Sequence, residues 1–368
     1  MVHSGSMRYT RRQALALFAG AAQATLLRPL HRAFGRPASR SDPQATPLPP
    51  PPDTWTLYGR AIHTVIAYQE PAVSSKRQAV YRRDESFPIL EEIRAPLSAH
   101  NDLWYRTDTG FVPSAWVLPV RVFPSQPWIA DPGPWGFWGE VSQIFTDARP
   151  APTLDAPRKY RFYGGTVYHV IEATQDDAGN GWYKVVDDYP PRQHTNHQWV
   201  LAQDMRRLPE EELAPIRPFG GQRRIEIVLS QQTLTCYEGD TPVFTTPIAS
   251  GIPGDTATPK GEFCVLLKQP SRHMSNRPYP DMPEEERPAP ENMFDLPGVP
   301  WNVFFDLKGR AIHGTYWHND FGVPRSHGCV NVSIQAARWI YRWVHPVAGY
   351  ADDFVRSNCR VGTPILIT

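Results

Sequence analysis

The chain has 368 residues and a formal net charge of +1, with 41% hydrophobic and 20% charged residues. That length suits two or three domains, and the apolar share is enough for packed cores. A balance so close to neutral leaves no electrostatic footprint for nucleic acid. The 40 prolines argue for turns and extended segments and against a mainly helical protein.

Residues 1–30 read as an export signal. Arg11 and Arg12 precede an apolar run from Ala14 to Ala22, and Ala22 and Ala24 offer a small-residue cleavage site. Thr10-Arg11-Arg12-Gln13-Ala14-Leu15 resembles the twin-arginine class of bacterial signals. The run is short and Ala-rich, which suits a signal better than an anchor. No other stretch is uninterrupted and apolar enough to span a bilayer, so no stable membrane span is expected after signal removal. Residues 31–52 carry Arg32, Arg36 and Arg40, then Pro43, Pro47 and Pro49 to Pro52. Such a stretch cannot build a core and reads as an extended linker.

Residues 53–210 carry a faint repeat with landmarks about eighty residues apart. Gly59-Arg60-Ala61 is echoed by Gly139-Glu140-Val141, Trp104-Tyr105-Arg106 by Trp182-Tyr183-Lys184, and Trp116-Val117 by Trp199-Val200. Ile62, Thr64 and Ile66 share one face of an extended segment, as do Val167, His169 and Ile171, the alternation of half-buried strand. Asp108-Thr109-Gly110 and Asn180-Gly181 are turn signals. The two copies, 53–120 and 135–210, are similar to the Src-homology-three-like barrels of bacterial cell-wall enzymes. That resemblance implies wall-binding or partner-binding modules. The other reading is that the tryptophans only fill two small cores. Pro119 to Pro134 and Pro209 to Pro218 read as links between the units.

From Arg224 to Thr246 the pattern is a meander, with Glu238-Gly239-Asp240 as a turn. Gly261 to Leu267 is a further strand, and Ile365-Leu366-Ile367 closes the domain as a strand with Pro364 at its start. Many short strands with close turns predict a β-sandwich-like domain over 222–368. Residues 268–300 show no period, with frequent proline and Glu284-Glu285-Glu286, and read as a long loop. After Asn331 a single helix is predicted. Ser333 is its N-cap, Ala336, Ala337, Ile340, Tyr341 and Val344 form its apolar face, and Pro346 stops it.

The chemistry gathers in one stretch from Ile312 to Asn331, which holds Cys329 and the histidines His313, His318 and His327. A thiol is a nucleophile only as the thiolate, and an imidazole in reach can take its proton near neutral pH. Cys329 with His313 or His327 is therefore a candidate nucleophile–base pair. A helix start just after Cys329 would favour the thiolate. Two other readings compete: a buried structural cysteine, and a zinc site using the spacing of His313 and His318, for which no second cysteine lies near.

Ser326-His327-Gly328-Cys329-Val330-Asn331, with His313-Gly314 sixteen residues before the cysteine, resembles the signature of the L,D-transpeptidase (YkuD) catalytic domain. The likeness extends to Ser250-Gly251, to Thr258-Pro259-Lys260-Gly261-Glu262-Phe263 and to Val361-Gly362-Thr363-Pro364. It implies Cys329 as nucleophile, His313 as base, and the Gly314 carbonyl as the group that orients the ring. It implies a stem-peptide donor of peptidoglycan in the cell wall, a thioester, and an amine acceptor, with no metal or organic cofactor. Gly328 and Cys329 amides are expected at the oxyanion. His327 and Ser326 would shape the site and hold substrate, and Asn331 would tie the loop down. Arg325 would meet a substrate carboxylate, and Met274, Tyr316 and Trp317 would line the donor groove, with the region from Met274 to Trp301 as its lid. His318 reads as a surface or supporting residue. A monomer is expected. Cys236, Cys264 and Cys359 remain; Cys264 reads as core and no disulfide is assigned. Rival functions are a non-catalytic wall-binding protein, or a carboxypeptidase or endopeptidase that uses water as acceptor.

Overall fold

The computed structural model describes residues 55–187, 196–216, 222–278, 284, 287–288 and 293–368. The expected signal at 1–30 and the linker at 31–52 lie outside the described residues. Among those described, no helix is long and apolar enough to cross a membrane.

The protein is mainly β and has three units. The first holds β1 (Thr56–Ala61), β2 (Val65–Tyr68), β3 (Arg77–Tyr81), β4 (Ser86–Pro88), β5 (Glu91–Arg94), β6 (Leu103–Thr107), β7 (Gly110–Pro113) and β8 (Val117–Val122). They form the sheets β4-β1-β8 and β3-β2-β7-β6-β5. Ala61, Val65, Phe87, Tyr105, Val112 and Val117 make a core between them. The second unit holds β9 (Phe137–Val141), β10 (Phe145–Ala148), β11 (Tyr160–Tyr163), β12 (Val167–Gln175), β13 (Gly181–Asp187), β14 (Asn196–Leu201) and β15 (Met205–Arg207). Its sheet runs β14-β13-β12-β9-β15, beside the pair β10-β11.

The first two units share one run of elements. In each unit an antiparallel pair leads through a 3-10 turn, Ser114–Trp116 or Ala202–Asp204, into a last strand. Trp104 and Trp182 occupy matching places and are both 0% exposed, so both fill cores. The expected match of Trp116 with Trp199 is wrong. Trp116 ends its 3-10 turn, where the second copy has Asp204, and Trp199 lies earlier, inside β14. Aromatic spacing does not register a turn whose own residues differ.

The third unit holds β16 (Arg223–Val228), β17 (Thr233–Glu238), β18 (Thr241–Pro247), β19 (Gly261–Cys264), β20 (Leu267–Ser275), β21 (Asp295–Phe304), β22 (Ala311–Gly314), β23 (Val330–Val332), β24 (Val355–Arg356) and β25 (Pro364–Ile367). Its two sheets run β18-β17-β16-β25-β19 and β23-β22-β21-β20-β24. A short helix α1 (Glu210–Leu213) precedes it, and α2 (Ile334–Trp343) follows β23. Ser333 caps α2 by accepting the Ala336 N–H at 3.1 Å, a contact that stabilises by about 1 kcal/mol. The apolar face of α2 is buried at Ala336, Ala337, Ile340 and Tyr341.

Three expectations need correction. First, residues 268–300 are not one long loop. β20 and β21 pair antiparallel, with Met274 opposite Leu296 and Ser275 opposite Asp295. Lys268, Gln269, Ser271 and His273 are buried there, so both faces are covered and no alternation survives to be read. Second, Pro119 lies inside β8 opposite Gly59, on an edge strand where proline is tolerated. Third, 209–216 is no free linker. The Glu212 carbonyl accepts from Arg338 at 3.1 Å and the Ala214 carbonyl from Arg342 at 2.7 Å, which fastens the segment to α2.

The units also share a core. Ile62, Leu118 and Val120 of the first and Trp138 and Val167 of the second pack in one cluster with Val299, Trp301 and Ile334. Arg60, 2% exposed, sits where all three meet. It donates to Asp84 at 2.8 Å and to the Tyr316 carbonyl at 2.5 Å, and it lies 3.9 Å over the Tyr163 ring. His273 bridges Asp187 of β13 at 2.6 Å and Asp295 of β21 at 2.5 Å. Burial alone would lower its pKa, but the two carboxylates outweigh that and hold it up to about 9, so the bridge is charged at neutral pH.

Cys264 and Cys359 form a disulfide that closes a sequence separation of 95 residues. Cys264 is buried at the end of β19, as expected, and is bonded as well. Closing so long a loop restricts the unfolded chain, so reduction is expected to lower stability by about 2–4 kcal/mol. A thermal midpoint that does not move on adding a reductant would count against it.

Candidate active site

The site is built on two neighbouring parallel strands. In the β22–β23 register Ile312 pairs with Val330, His313 with Asn331 and Gly314 with Val332. Cys329 directly precedes β23, one residue before Val330, so the two candidate reacting residues lie on or next to neighbouring strands.

His313 is 2% exposed. Its Nδ1 lies 3.0 Å from the Gly314 carbonyl. A carbonyl can only accept, so Nδ1 carries the proton and Nε2 keeps its lone pair. Burial lowers the pKa to about 4, with the Gly314 carbonyl pulling the other way. The ring is therefore a neutral acceptor at physiological pH. The Trp317 ring, half-buried, lies 5.8 Å from it.

Cys329 is half-buried, so part of the residue reaches solvent while protein atoms crowd the thiol. Burial raises the thiol pKa to about 11. The Ala311 backbone pulls it down, Asp306 pushes it up, and Arg310 acts with Ala311. A thiolate prepared by a helix N-terminus is not found. β23 and Ser333 stand between Cys329 and the start of α2, and a helix terminus acts only within about one turn. The resting pair is a thiol and a neutral imidazole.

The loop before Cys329 is held from several sides. The Arg325 and Ser326 N–H groups both donate to the Ser250 carbonyl, at 2.8 and 3.0 Å. Ser326 Oγ donates to the Cys329 carbonyl at 2.5 Å and accepts the Gly328 N–H at 3.2 Å. Thr258 Oγ1 donates to the Gly328 carbonyl at 3.1 Å and accepts the Gly251 N–H at 2.8 Å. Gly328 has φ +110, and a Cβ there would sit 3.1 Å from Arg310 Nε, so glycine suits both the conformation and the space. Its amide is occupied by Ser326 Oγ, which removes it as a ready oxyanion donor.

The other expected site residues divide. His327 is exposed, and its ring lies 5.7 Å from Phe294. Asn331 is 1% exposed and its carboxamide is 3.0 Å from His318 Nε2. Met274 is half-buried on β20 and packs on the main core. Tyr316 does not line a groove: it is 3% exposed and its hydroxyl donates to the Pro297 carbonyl at 2.8 Å. The exposed Arg325 guanidinium is already paired with Asp320. His318 is no surface residue at 3% exposed, and burial lowers its pKa to about 4. Asp320, Thr258 and Arg60 were missed as supports of the site. Thr258 lies in a stretch already marked by the family likeness, and Asp320 left a local sign as an acid five residues before Arg325 in the same loop. Among the described residues no group of three or more His, Cys, Asp or Glu side chains is arranged to hold a metal ion.

Residues 222–367 match the family model for the L,D-transpeptidase catalytic domain, YkuD. Similar solved structures include a cysteine-to-serine mutant of the Enterococcus faecium L,D-transpeptidase, at 22% identity over 41% of this chain and 52% of that one, with a TM-score of 0.30. The chain thus spans about half the length of that structure. An L,D-transpeptidase from Mycobacterium smegmatis matches at 18% identity over 54% of this chain and 98% of that one, TM-score 0.31. L,D-transpeptidase 3 from Mycobacterium tuberculosis, in complex with a faropenem-derived adduct, matches at 17% identity over 55% and 91%, TM-score 0.30. No curated protein matches the chain.

Proposed function

We propose, on the premise that residues 222–367 are a YkuD-family L,D-transpeptidase catalytic domain, that this protein cross-links peptidoglycan by acyl transfer through Cys329. The observation that supports this best is the ring of His313. It is fixed by the Gly314 carbonyl at 3.0 Å with Nε2 left as acceptor, on the strand beside β23, which Cys329 directly precedes.

The Cys329 sulfur attacks a carbonyl carbon of a donor stem peptide while His313 Nε2 takes the thiol proton. Burial raises the thiol's pKa and lowers the ring's, so both groups are neutral at rest and the proton is moved in the course of the attack. Collapse of the tetrahedral intermediate breaks the carbon–nitrogen bond, and His313 returns the proton to the leaving amine. An acceptor amine from a second stem then attacks the thioester, gives up its proton to His313, and releases Cys329 as the thiol. The wall is outside the cytoplasm, so export through residues 1–30 belongs to the same proposal, and cell fractionation tests it.

Incubation with purified muropeptides, read by mass, tests the reaction. Cross-linked dimers are expected. Loss of a terminal residue without dimers would mean water is the acceptor, and unchanged masses would mean binding alone. Because one related structure holds a faropenem-derived adduct, the intact protein is expected to gain one penem mass on Cys329.

A further inference from the structure

We infer that the first β unit is a working part of the active site, and that His100 is the positioning residue through which it holds the loop leading to Cys329. This rests on the acyl-transfer reading above.

Residues 315–329 between β22 and β23 contain no helix or ladder strand of their own. A segment without a hydrogen-bond ladder takes its shape from what touches it. Three separate segments of the first unit do so. His100 Nε2 lies 2.9 Å from Asp320 Oδ1. The Ala115 carbonyl accepts the Asn319 N–H at 3.1 Å, and Tyr105 Oη accepts from Asn319 Nδ2 at 3.0 Å. Trp116 lies under the Arg325 guanidinium at 5.5 Å. Gly322, at φ +98, is the place where the His100 segment presses closest. A Cβ there would sit 3.2 Å from both Cβ and the carbonyl oxygen of His100. Space and conformation both demand glycine at the contact.

Asp320 relays this contact inward. It is 2% exposed, and its carboxylate joins His100 to Arg325. Its N–H donates to His318 Nδ1 at 3.3 Å. With Nδ1 accepting, neutral His318 carries its proton on Nε2 and donates to the Asn331 carboxamide 3.0 Å away. The Asn331 atom facing it is then Oδ1, with the carboxamide turned over to present its acceptor. Asn331 stands opposite His313 in the strand pair and two residues after Cys329. A continuous chain of His100, Asp320, His318 and Asn331 thus runs from the first unit to the strand position opposite His313. A loop held this way keeps sulfur and ring in register, and small misplacements at such a site are costly to rate.

The test compares His100→Ala and His100→Gln in the full chain. Three readings are taken: alkylation of Cys329 by iodoacetamide across pH, kcat and KM with muropeptides, and the thermal midpoint. His100→Ala is expected to lower kcat roughly tenfold with KM within about twofold, and to shift the alkylation profile. His100→Gln, whose amide can still donate to Asp320, should recover most of both. Parental kcat and alkylation in His100→Ala overturns the inference. So does a loss in both variants that only tracks the folded fraction. Where His100→Ala does not fold, His100→Phe keeps the ring's bulk and removes the hydrogen bond to Asp320, and parental rates in it also overturn the inference. Should the parent turn over no muropeptide, the acyl-transfer reading fails, and the alkylation profiles still decide the role of His100.

Discussion

Cys329→Ala will fold like the parent and form no covalent product. The side chain is half-buried in a loop held by Ser326, Thr258 and Ser250, none of which contacts the sulfur through these bonds. Losing the sulfur therefore removes the proposed nucleophile and leaves the loop's hydrogen bonds in place. Turnover of muropeptides is expected to fall by about a thousandfold or more, as for other enzymes that lose their nucleophile. The thermal midpoint is expected to stay within a few degrees, because only one sulfur atom of a half-buried residue is lost. Mass spectrometry after incubation with a penem should show the adduct in the parent and none in the variant. An adduct of equal yield in Cys329→Ala would move the chemistry elsewhere. The other free cysteine, Cys236, is 0% exposed, and burial pushes its thiol well up, so it is a poor substitute.

His313→Gln is expected to lower turnover by about 10²–10⁴-fold, the range for losing a placed proton acceptor. The pH dependence identifies the cause. His313 accepts a proton only when neutral, and its pKa lies at about 4. Turnover in the parent is therefore present above pH ~5 and lost as the pH falls through about 4. The same shift acts on stability. The ring's folded pKa lies below the ordinary value of 6.5, so the unfolded chain binds the proton first. Stability held above pH ~6.5 then declines as the pH falls toward 4. His318 shifts the same way. Circular dichroism across that range separates lost catalysis from lost fold. On the alkaline side the thiol ionises at about 11, so alkylation by a small reagent should climb about tenfold per pH unit from 7 to 10. A plateau already reached at pH 7 would mean a ready-made thiolate, and the account of a neutral resting pair would fail.

The candidate site was legible because its parts are local. A cysteine, a histidine and the turn between them lie within one short stretch, and their order carries the chemistry whatever surrounds them. The meander at 223–247, the capped helix after Ser333 and the closing strand at Pro364–Ile367 were legible for a related reason. Each shows a period of two or of 3.6 on one buried face, or a cap at a known offset.

The rest depends on what lies across from each residue, and no local pattern records that. β20 lost its period because residues on both of its faces are buried, with His273 held against Asp187 of the second unit. Tyr316 and Trp317 are adjacent aromatics in the chain, yet one is buried and the other half-open. Arg325 is an ordinary exposed arginine until Asp320 and Trp116 are brought to it. The sharpest case is Cys329. Its motif marks it as the candidate nucleophile, but burial, which no local pattern records, raises its proton affinity. Chemistry here is inherited from residue order, while acidity, access and the joining of three units come from long-range packing, which decides how much water each group keeps.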